Sequence, residues 1–147
     1  MPNNHEVTIL LVEDDPGHAR LIEKNLRRSN ISNEIITLND GEQALDFLFD
    51  EEAGWVSNGS RPILVLLDLK MPGVDGYQVL DRMKADERTR RIPVVVLTTT
   101  DDPREVERCY DLGCNVYVTK PVDYDRFSEA VRNLGLFLAV VTVPEEA

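Results

Sequence analysis

The sequence predicts an α/β fold in which five buried parallel strands alternate with five helices. One observation is that its apolar residues occur in short continuous runs, the pattern of strands that are covered by helices on both faces. The clearest run, "ILVLL", lies between Pro62 and Pro72-Gly73, which favour turns. A second observation is that four of the runs are followed by acids, hydroxyls or a lysine. Ligands of open α/β sheets bind at such strand ends.

The apolar runs place the strands. The first run, "TILLV", leads into Glu13, Asp14 and Asp15, and the third leads into Asp68. The fourth ends in three threonines, and the short fifth run, "VYVT", ends in Lys120. The predicted strands are 8–12, 34–38, 63–67, 94–97 and 116–119.

Helix signals fall between the strands. Pro16 suits the first turn of a helix, and Asp40 suits a cap. Asp75-Gly76 opens a third helix, Gly113 closes a fourth, and a fifth begins near residue 123. This alternation predicts a doubly wound, flavodoxin-like sheet with strand order 2-1-3-4-5 and right-handed crossovers.

That strand order brings polar side chains of distant segments to one edge of the sheet. Strands 1 and 3 become neighbours, so we expect Glu13, Asp14 and Asp68 to converge there. Strand 4 adds Thr98 and strand 5 adds Lys120 at the same edge.

Length and charge limit the classes of function. The 147 residues predict a single domain, 1–147, with a core of about 7–135 and an apolar C-terminal extension, 136–147. A net charge of −11 argues against nonspecific binding to nucleic acid or anionic membranes. We found no run long enough to span a membrane and no signal-peptide pattern, so we expect a soluble cytoplasmic protein. Cys109 and Cys114 are expected to be free thiols.

Three carboxylates at one edge require a cation among them. Mg²⁺ takes oxygen ligands, commonly one or two carboxylates with waters and phosphate oxygens. We therefore expect Glu13, Asp14 and Asp68 to form a Mg²⁺ site, with the backbone carbonyl of Lys70 as a further ligand. Asp68 is best placed to attack phosphorus and form an acyl phosphate. In that reaction a lysine and a hydroxyl stabilise the phosphoryl oxygens, and we expect Lys120 and Thr98 to supply them.

These motifs resemble the receiver domain of two-component response regulators over nearly the whole chain. The matching segments are "LLVEDDP", "LLDLKMPGVDG", "VVVLTTT" and "YVTKPV". The resemblance implies that Asp68 is the phosphoacceptor, Thr98 the switch threonine and Tyr117 the aromatic switch. It also implies a cis bond between Lys120 and Pro121. Glu13 stands where many members have Asp, and we expect it to reach the metal through water.

A finer resemblance is to small single-domain regulators that pair with phytochrome kinases. It implies a sensor histidine kinase as phosphodonor, with a phytochrome as the candidate kinase, and a protein whose affinity for partners changes on phosphorylation. Beyond self-phosphorylation and slow autodephosphorylation, no enzymatic activity is implied. The apolar tail predicts a homodimer through Phe137, Leu138 and Val141, although these residues could instead complete the core.

Other interpretations remain open at the level of sequence. A Mg²⁺-dependent phosphohydrolase with an aspartyl nucleophile is one, although such enzymes usually need a cap domain. A receiver-like interaction module without phosphorylation is another, but it would lack one of the site residues, and none is missing here. Asp15 is expected to cap a helix, and His5 and His18 to face solvent. The loop with Trp55 is either an interaction loop or a solvated connection with one packed aromatic.

Overall fold

A computed structural model describes residues 7–28, 31–57, 61–99, 102–120 and 124–133. Within these ranges five parallel strands form one sheet in the order β2-β1-β3-β4-β5, as predicted. The strands are β1 (Thr8–Val12), β2 (Ile35–Leu38), β3 (Ile63–Asp68), β4 (Val94–Thr98) and β5 (Val116–Thr119). The helices are α1 (Pro16–Arg28), α2 (Gly41–Phe49), α3 (Gly76–Lys84), α4 (Pro103–Asp111) and α5 (Tyr124–Asn133). The dimer residues Phe137, Leu138 and Val141, together with Pro121 and His5, lie outside the described residues.

Helices cover both faces of the sheet. Every residue of β1, β3 and β4 is buried, whereas β2 and β5 at the edges are mostly half-buried. Alternate residues of a strand point to opposite faces, so one continuous apolar run feeds two cores. One core packs Leu26 of α1 and Phe127 of α5 against the sheet, and the other packs Leu48 of α2 and Leu80 of α3.

Local signals in the sequence start and end the helices as expected. Asp40 caps α2, and Asp75 caps α3 in a reciprocal capping box with Gln78. Gly113 has a φ of 104° just after α4, a conformation that favours glycine at a helix C-terminus. Each cap satisfies backbone groups that a helix end leaves without partners.

Gly76 sets the distance between α3 and the end of β3. A Cβ atom at this position would lie 2.2 Å from the carbonyl oxygen of Asp68. The amide of Gly76 donates to the carbonyl of Leu69 at 2.9 Å. The first turn of α3 is thus in direct contact with the backbone that carries Asp68.

The remaining expectations concern the thiols, the loop and the membrane. Cys109 and Cys114 are free and buried, as predicted, and burial raises the pKa of the Cys114 thiol to about 12. Trp55 packs against the core on the α2 and α3 side, and its indole N–H donates to the carbonyl of Arg61 at 2.9 Å. Among the helices of the described ranges, none combines the length and apolarity that a membrane span requires.

Candidate functional site

The register of β1 and β3 brings three acids together. Val12 pairs with Leu67, so the residues that follow β1 lie beside the end of β3. Oxygen atoms of Glu13, Asp14 and Asp68 all lie within 4.8 Å of one another. The predicted convergence of these carboxylates is confirmed.

Glu13 is held by two hydrogen bonds although it is only 1% exposed. Its Oε2 accepts from the backbone amide of Asp15 at 3.1 Å, and its Oε1 accepts from Lys120 Nζ at 2.5 Å. A buried carboxylate needs such partners because burial disfavours its charge. The first acid of the motif therefore has a fixed position at the floor of the site.

Lys120 supplies a cation to two of the three acids, Glu13 and Asp68. Its backbone amide donates to the carbonyl of Thr98 at 2.8 Å, which fixes the point where the chain leaves β5. Its side chain is 9% exposed, and Nζ lies 3.4 Å from Asp68 Oδ1. One ammonium thus faces carboxylates from two different strand ends, as the sequence predicted for this edge.

Asp68 holds its negative charge less readily than an ordinary aspartate. Burial is the main cause, the nearby charge of Glu13 adds to it, and Lys120 acts in the opposite direction. Together they raise the pKa of the Asp68 carboxyl to about 6. At neutral pH the Asp68 carboxylate is ionised, but its negative charge is energetically unfavourable at this buried position. Binding of a cation that neutralised this charge would therefore be favoured.

The start of α1 carries two further polar side chains at this edge. Asp15 Oδ1 accepts from the amides of Gly17 at 2.8 Å and His18 at 3.1 Å, so Asp15 caps α1 as expected. These hydrogen bonds, led by that from His18, lower the pKa of Asp15. The side chain of His18 is 46% exposed, yet its Nδ1 lies 3.1 Å from Lys120 Nζ.

The contact of His18 with Lys120 is not evident from the strand-end motifs. One signal in the sequence could have found it. His18 lies in the first turn of the helix that directly follows Glu13 and Asp14, and that turn must begin above the same edge of the sheet.

Thr98 and Tyr117 lie on the neighbouring strands at different depths. Thr98 is buried at the end of β4 and pairs with Thr119 across the sheet. Tyr117 is half-buried and packs beside the core on the α4 side. It also lines a surface cavity of about 330 Å³ together with Tyr110 of α4 and Arg126 of α5. Both residues are where the sequence places them, and their roles as switches stay predictions.

The side chain of Lys70 points to α4 instead of the carboxylates. Its Nζ lies 3.3 Å from Glu105 Oε1, which also accepts from the Tyr77 hydroxyl at 3.1 Å. The guanidinium of Arg108 stacks over the Tyr77 ring at 3.7 Å. The turn after Asp68 is therefore tied to α3 and α4, a link that the sequence motifs do not predict. The role of the Lys70 carbonyl as a metal ligand stays a prediction.

The donor set fits a hard divalent cation. Three oxygen ligands lie close together at a partly buried edge, and the cluster contains neither sulfur nor an imidazole. Glu13 and Asp68 already share Lys120, so further positive charge would relieve the repulsion that remains among the acids.

Comparison with known proteins defines the class. The family model "Response regulator receiver domain" matches residues 9–132. The chain belongs to the response regulator receiver family, as its four strand-end motifs predicted.

Its relatives include small regulators named for phytochromes. Response regulator Rcp1 of Synechocystis is 40% identical over 143 residues, covering 97% of this chain and 96% of Rcp1. The bacteriophytochrome response regulator AtBRR is 39% identical with a TM-score of 0.82, covering 97% of this chain and all of AtBRR. The phosphorylated cyanobacterial phytochrome response regulator RcpA is 38% identical with a TM-score of 0.73, covering 95% and 99% of the two chains. A structure of Rcp1 has Mn²⁺ bound.

Proposed function

We propose that this protein is a phosphoacceptor that receives a phosphoryl group on Asp68. The observation that carries the proposal is the position of Asp68 at the end of β3, beside two further acids and one lysine. This arrangement matches what an aspartyl nucleophile needs, since the attacking carboxylate and the groups that stabilise phosphoryl oxygens lie at one edge.

In the proposed reaction an oxygen of Asp68 attacks the phosphorus of a phosphohistidine. The new O–P bond forms as the P–N bond breaks, and its electron pair returns to the imidazole of the donor. Lys120, 3.4 Å from Asp68 Oδ1, is placed to bind an oxygen of the incoming phosphoryl group. Thr98, at the end of the adjacent strand, is our candidate for the hydroxyl that donates to a second oxygen.

Glu13, Asp14 and Asp68, with the carbonyl of Lys70, would hold the metal that the reaction requires. We propose Mg²⁺, and the oxygen-only donor set and the Mn²⁺-bound structure of Rcp1 support a divalent cation here. When bound, the ion neutralises charge on the transferring phosphoryl oxygens. Glu13 is the ligand we expect to act through water, because both of its oxygens already accept hydrogen bonds.

We further propose that phosphorylation changes the affinity of the protein for partners through Thr98 and Tyr117. The half-buried position of Tyr117, at a cavity between α4 and α5, supports a role in such a change because the ring has room on one side. In this scheme the phosphoryl group shifts an equilibrium between two conformations by interacting better with one of them.

The donor we propose is a sensor histidine kinase in a phytochrome-type pathway. The names of AtBRR and RcpA, which are described as phytochrome response regulators, support this assignment. We also propose that the protein is a single receiver domain in the cytoplasm and that it does not bind nucleic acid. We propose that it forms a homodimer through Phe137, Leu138 and Val141. Slow autodephosphorylation is the only other reaction that we propose for it.

A small phosphodonor tests the central claim. Incubation with acetyl phosphate and Mg²⁺ should add one phosphoryl group per chain, read by intact mass, and the bond should be cleaved by hydroxylamine. Asp68→Asn should remove the mass increase, because an amide is not a nucleophile toward phosphorus. Asp46→Asn, at an exposed position of α2, is the matched control, because it removes one carboxylate away from this edge of the sheet.

Two outcomes would contradict the proposal. An unchanged mass of the wild-type protein, or a mass increase that persists in Asp68→Asn, would rule out Asp68 as the phosphoacceptor. Steady release of inorganic phosphate from phosphate esters would instead support an aspartyl-nucleophile phosphohydrolase.

A further inference from the structure

We infer that His18 is a positioning residue that holds the ammonium of Lys120 in place for phosphoryl transfer. This inference rests on the proposed role of Asp68 as phosphoacceptor. It arises from a contact of 3.1 Å between His18 Nδ1 and Lys120 Nζ, two residues that are 102 positions apart in the sequence.

The ammonium of Lys120 has three N–H donors and three acceptors around it. They are Glu13 Oε1 at 2.5 Å, His18 Nδ1 at 3.1 Å and Asp68 Oδ1 at 3.4 Å. An ammonium has no lone pair, so His18 can only accept in this contact. The tautomer that makes this contact a hydrogen bond carries its proton on Nε2.

Asp15 holds the ring in the orientation that this contact needs. His18 Nε2 lies 3.8 Å from Asp15 Oδ2, and the backbone amide of His18 donates to Asp15 Oδ1 at 3.1 Å. A proton on Nε2 thus faces a carboxylate, which favours the tautomer that leaves Nδ1 free to accept. The residue that caps α1 therefore also lies beside the histidine that contacts Lys120.

His18 differs from the other two acceptors in charge and in location. Glu13 and Asp68 are acids of the reacting cluster, and the proposed reaction changes the charge on Asp68. His18 adds no carboxylate to that cluster; it lies on α1, with its Nδ1 3.9 Å from Glu13 Oε2. It can accept from the ammonium without adding negative charge to the site, and it remains as an acceptor when Asp68 carries a phosphoryl group.

The test compares substitutions of His18 that remove or retain an acceptor. His18→Ala should slow the initial rate of phosphorylation by acetyl phosphate about three- to tenfold, the range of one ordinary hydrogen bond. His18→Asn should restore most of the rate, because the Asn side-chain oxygen can occupy a position close to that of Nδ1. Arg20→Ala, also exposed on α1, is the matched control and should leave the rate unchanged.

A double-mutant cycle ties the effect to the lysine. In the Lys120→Ala background, His18→Ala should cause no further loss of rate, because the group that His18 positions is absent. Thermal melts of all variants show whether each is folded. The inference is wrong if His18→Ala is phosphorylated as fast as the wild type, or if His18→Asn is as slow as His18→Ala. It is also wrong if His18→Ala lowers the rate in the Lys120→Ala background as much as it does in the wild type. If the wild type itself gains no phosphoryl group, the proposed function has failed first.

Discussion

Two clusters of acidic and basic side chains in this protein shift the pKa of an aspartate in opposite directions. At the strand ends, Asp68 shares one buried lysine with Glu13, and burial raises the pKa of Asp68 to about 6. On the surface after α3, Asp86 has two arginines to itself: Arg88 at 2.8 Å and Arg82 at 3.6 Å. Hydrogen bonds from Arg88 are the main reason that the pKa of Asp86 lies far below its usual range.

The difference between the clusters is chiefly one of charge balance. The Asp86 side chain is 16% exposed and has two arginines as partners, so its charge is easily kept. The strand-end carboxylates outnumber their cation and are buried, so their charge is kept at a cost. A carboxylate of the second kind gains most from a bound cation.

The largest expected effect follows from removing the cation of each cluster. Lys120→Met should lower the free energy of unfolding by about 3 kcal/mol in metal-free solution, because it leaves buried carboxylates without a partner. Arg88→Met, the matched change at the surface, should leave it nearly unchanged. Urea unfolding monitored by circular dichroism measures both.

Addition of Mg²⁺ sharpens this comparison. A divalent cation at the strand ends should recover part of the stability that Lys120→Met loses relative to the wild type, and should leave the difference between Arg88→Met and the wild type unchanged. Equal losses in the two variants, with or without Mg²⁺, would show that the strand-end cluster is not under greater electrostatic stress than the surface one.

A smaller effect is expected when the costly charge itself is removed. Asp68→Asn should be more stable than the wild type by about 2 kcal/mol at pH 7.5 without metal, since ionised Asp68 opposes folding there. The folded-state pKa of about 6 lies above the unfolded value. Stability from protonated Asp68 is therefore complete below about pH 4 and is lost as the pH rises through 6.

The advantage of Asp68→Asn should accordingly shrink as the pH is lowered from 7 to 4. Urea unfolding at a series of pH values, with a chelator present, measures this difference. An advantage that is constant over this range would mean that the Asp68 carboxyl titrates alike in the folded and unfolded chains. Asp14→Asn, at the same edge, provides a comparison in which the same charge is removed from a neighbouring position.

The smallest effect should come from the surface carboxylate. Asp86→Asn should lower the melting temperature slightly, because the ionised group is favoured in the folded state. The loss should diminish in high salt, which screens exposed charges. A large loss that salt does not change would indicate that Asp86 acts through the packing of its neighbours.

Much of this molecule could be predicted from its sequence because it is built from local signals. Continuous apolar runs marked the buried strands, and residues such as Asp40, Asp75 and Gly113 marked helix ends. The alternation of elements then determined the strand order, and the strand order determined which residues meet.

Contacts between side chains of different helices were harder to foresee. The link from Lys70 to Glu105 and the approach of His18 to Lys120 depend on how long side chains lie across the gaps between elements. No periodicity encodes such contacts. The motif of strand-end residues identified which groups meet, whereas the orientation of each side chain required coordinates.

The close contact at Gly76 limits how far α3 and the backbone at Asp68 can move relative to each other. A Cβ atom at position 76 would lie 2.2 Å from the backbone carbonyl oxygen of Asp68, so even alanine would have to push α3 outward. The backbone that carries Asp68 is therefore held closely against the first turn of α3. Under the proposed function, we therefore expect a movement that follows phosphorylation of Asp68 to involve less tightly packed segments, such as the mostly half-buried β5.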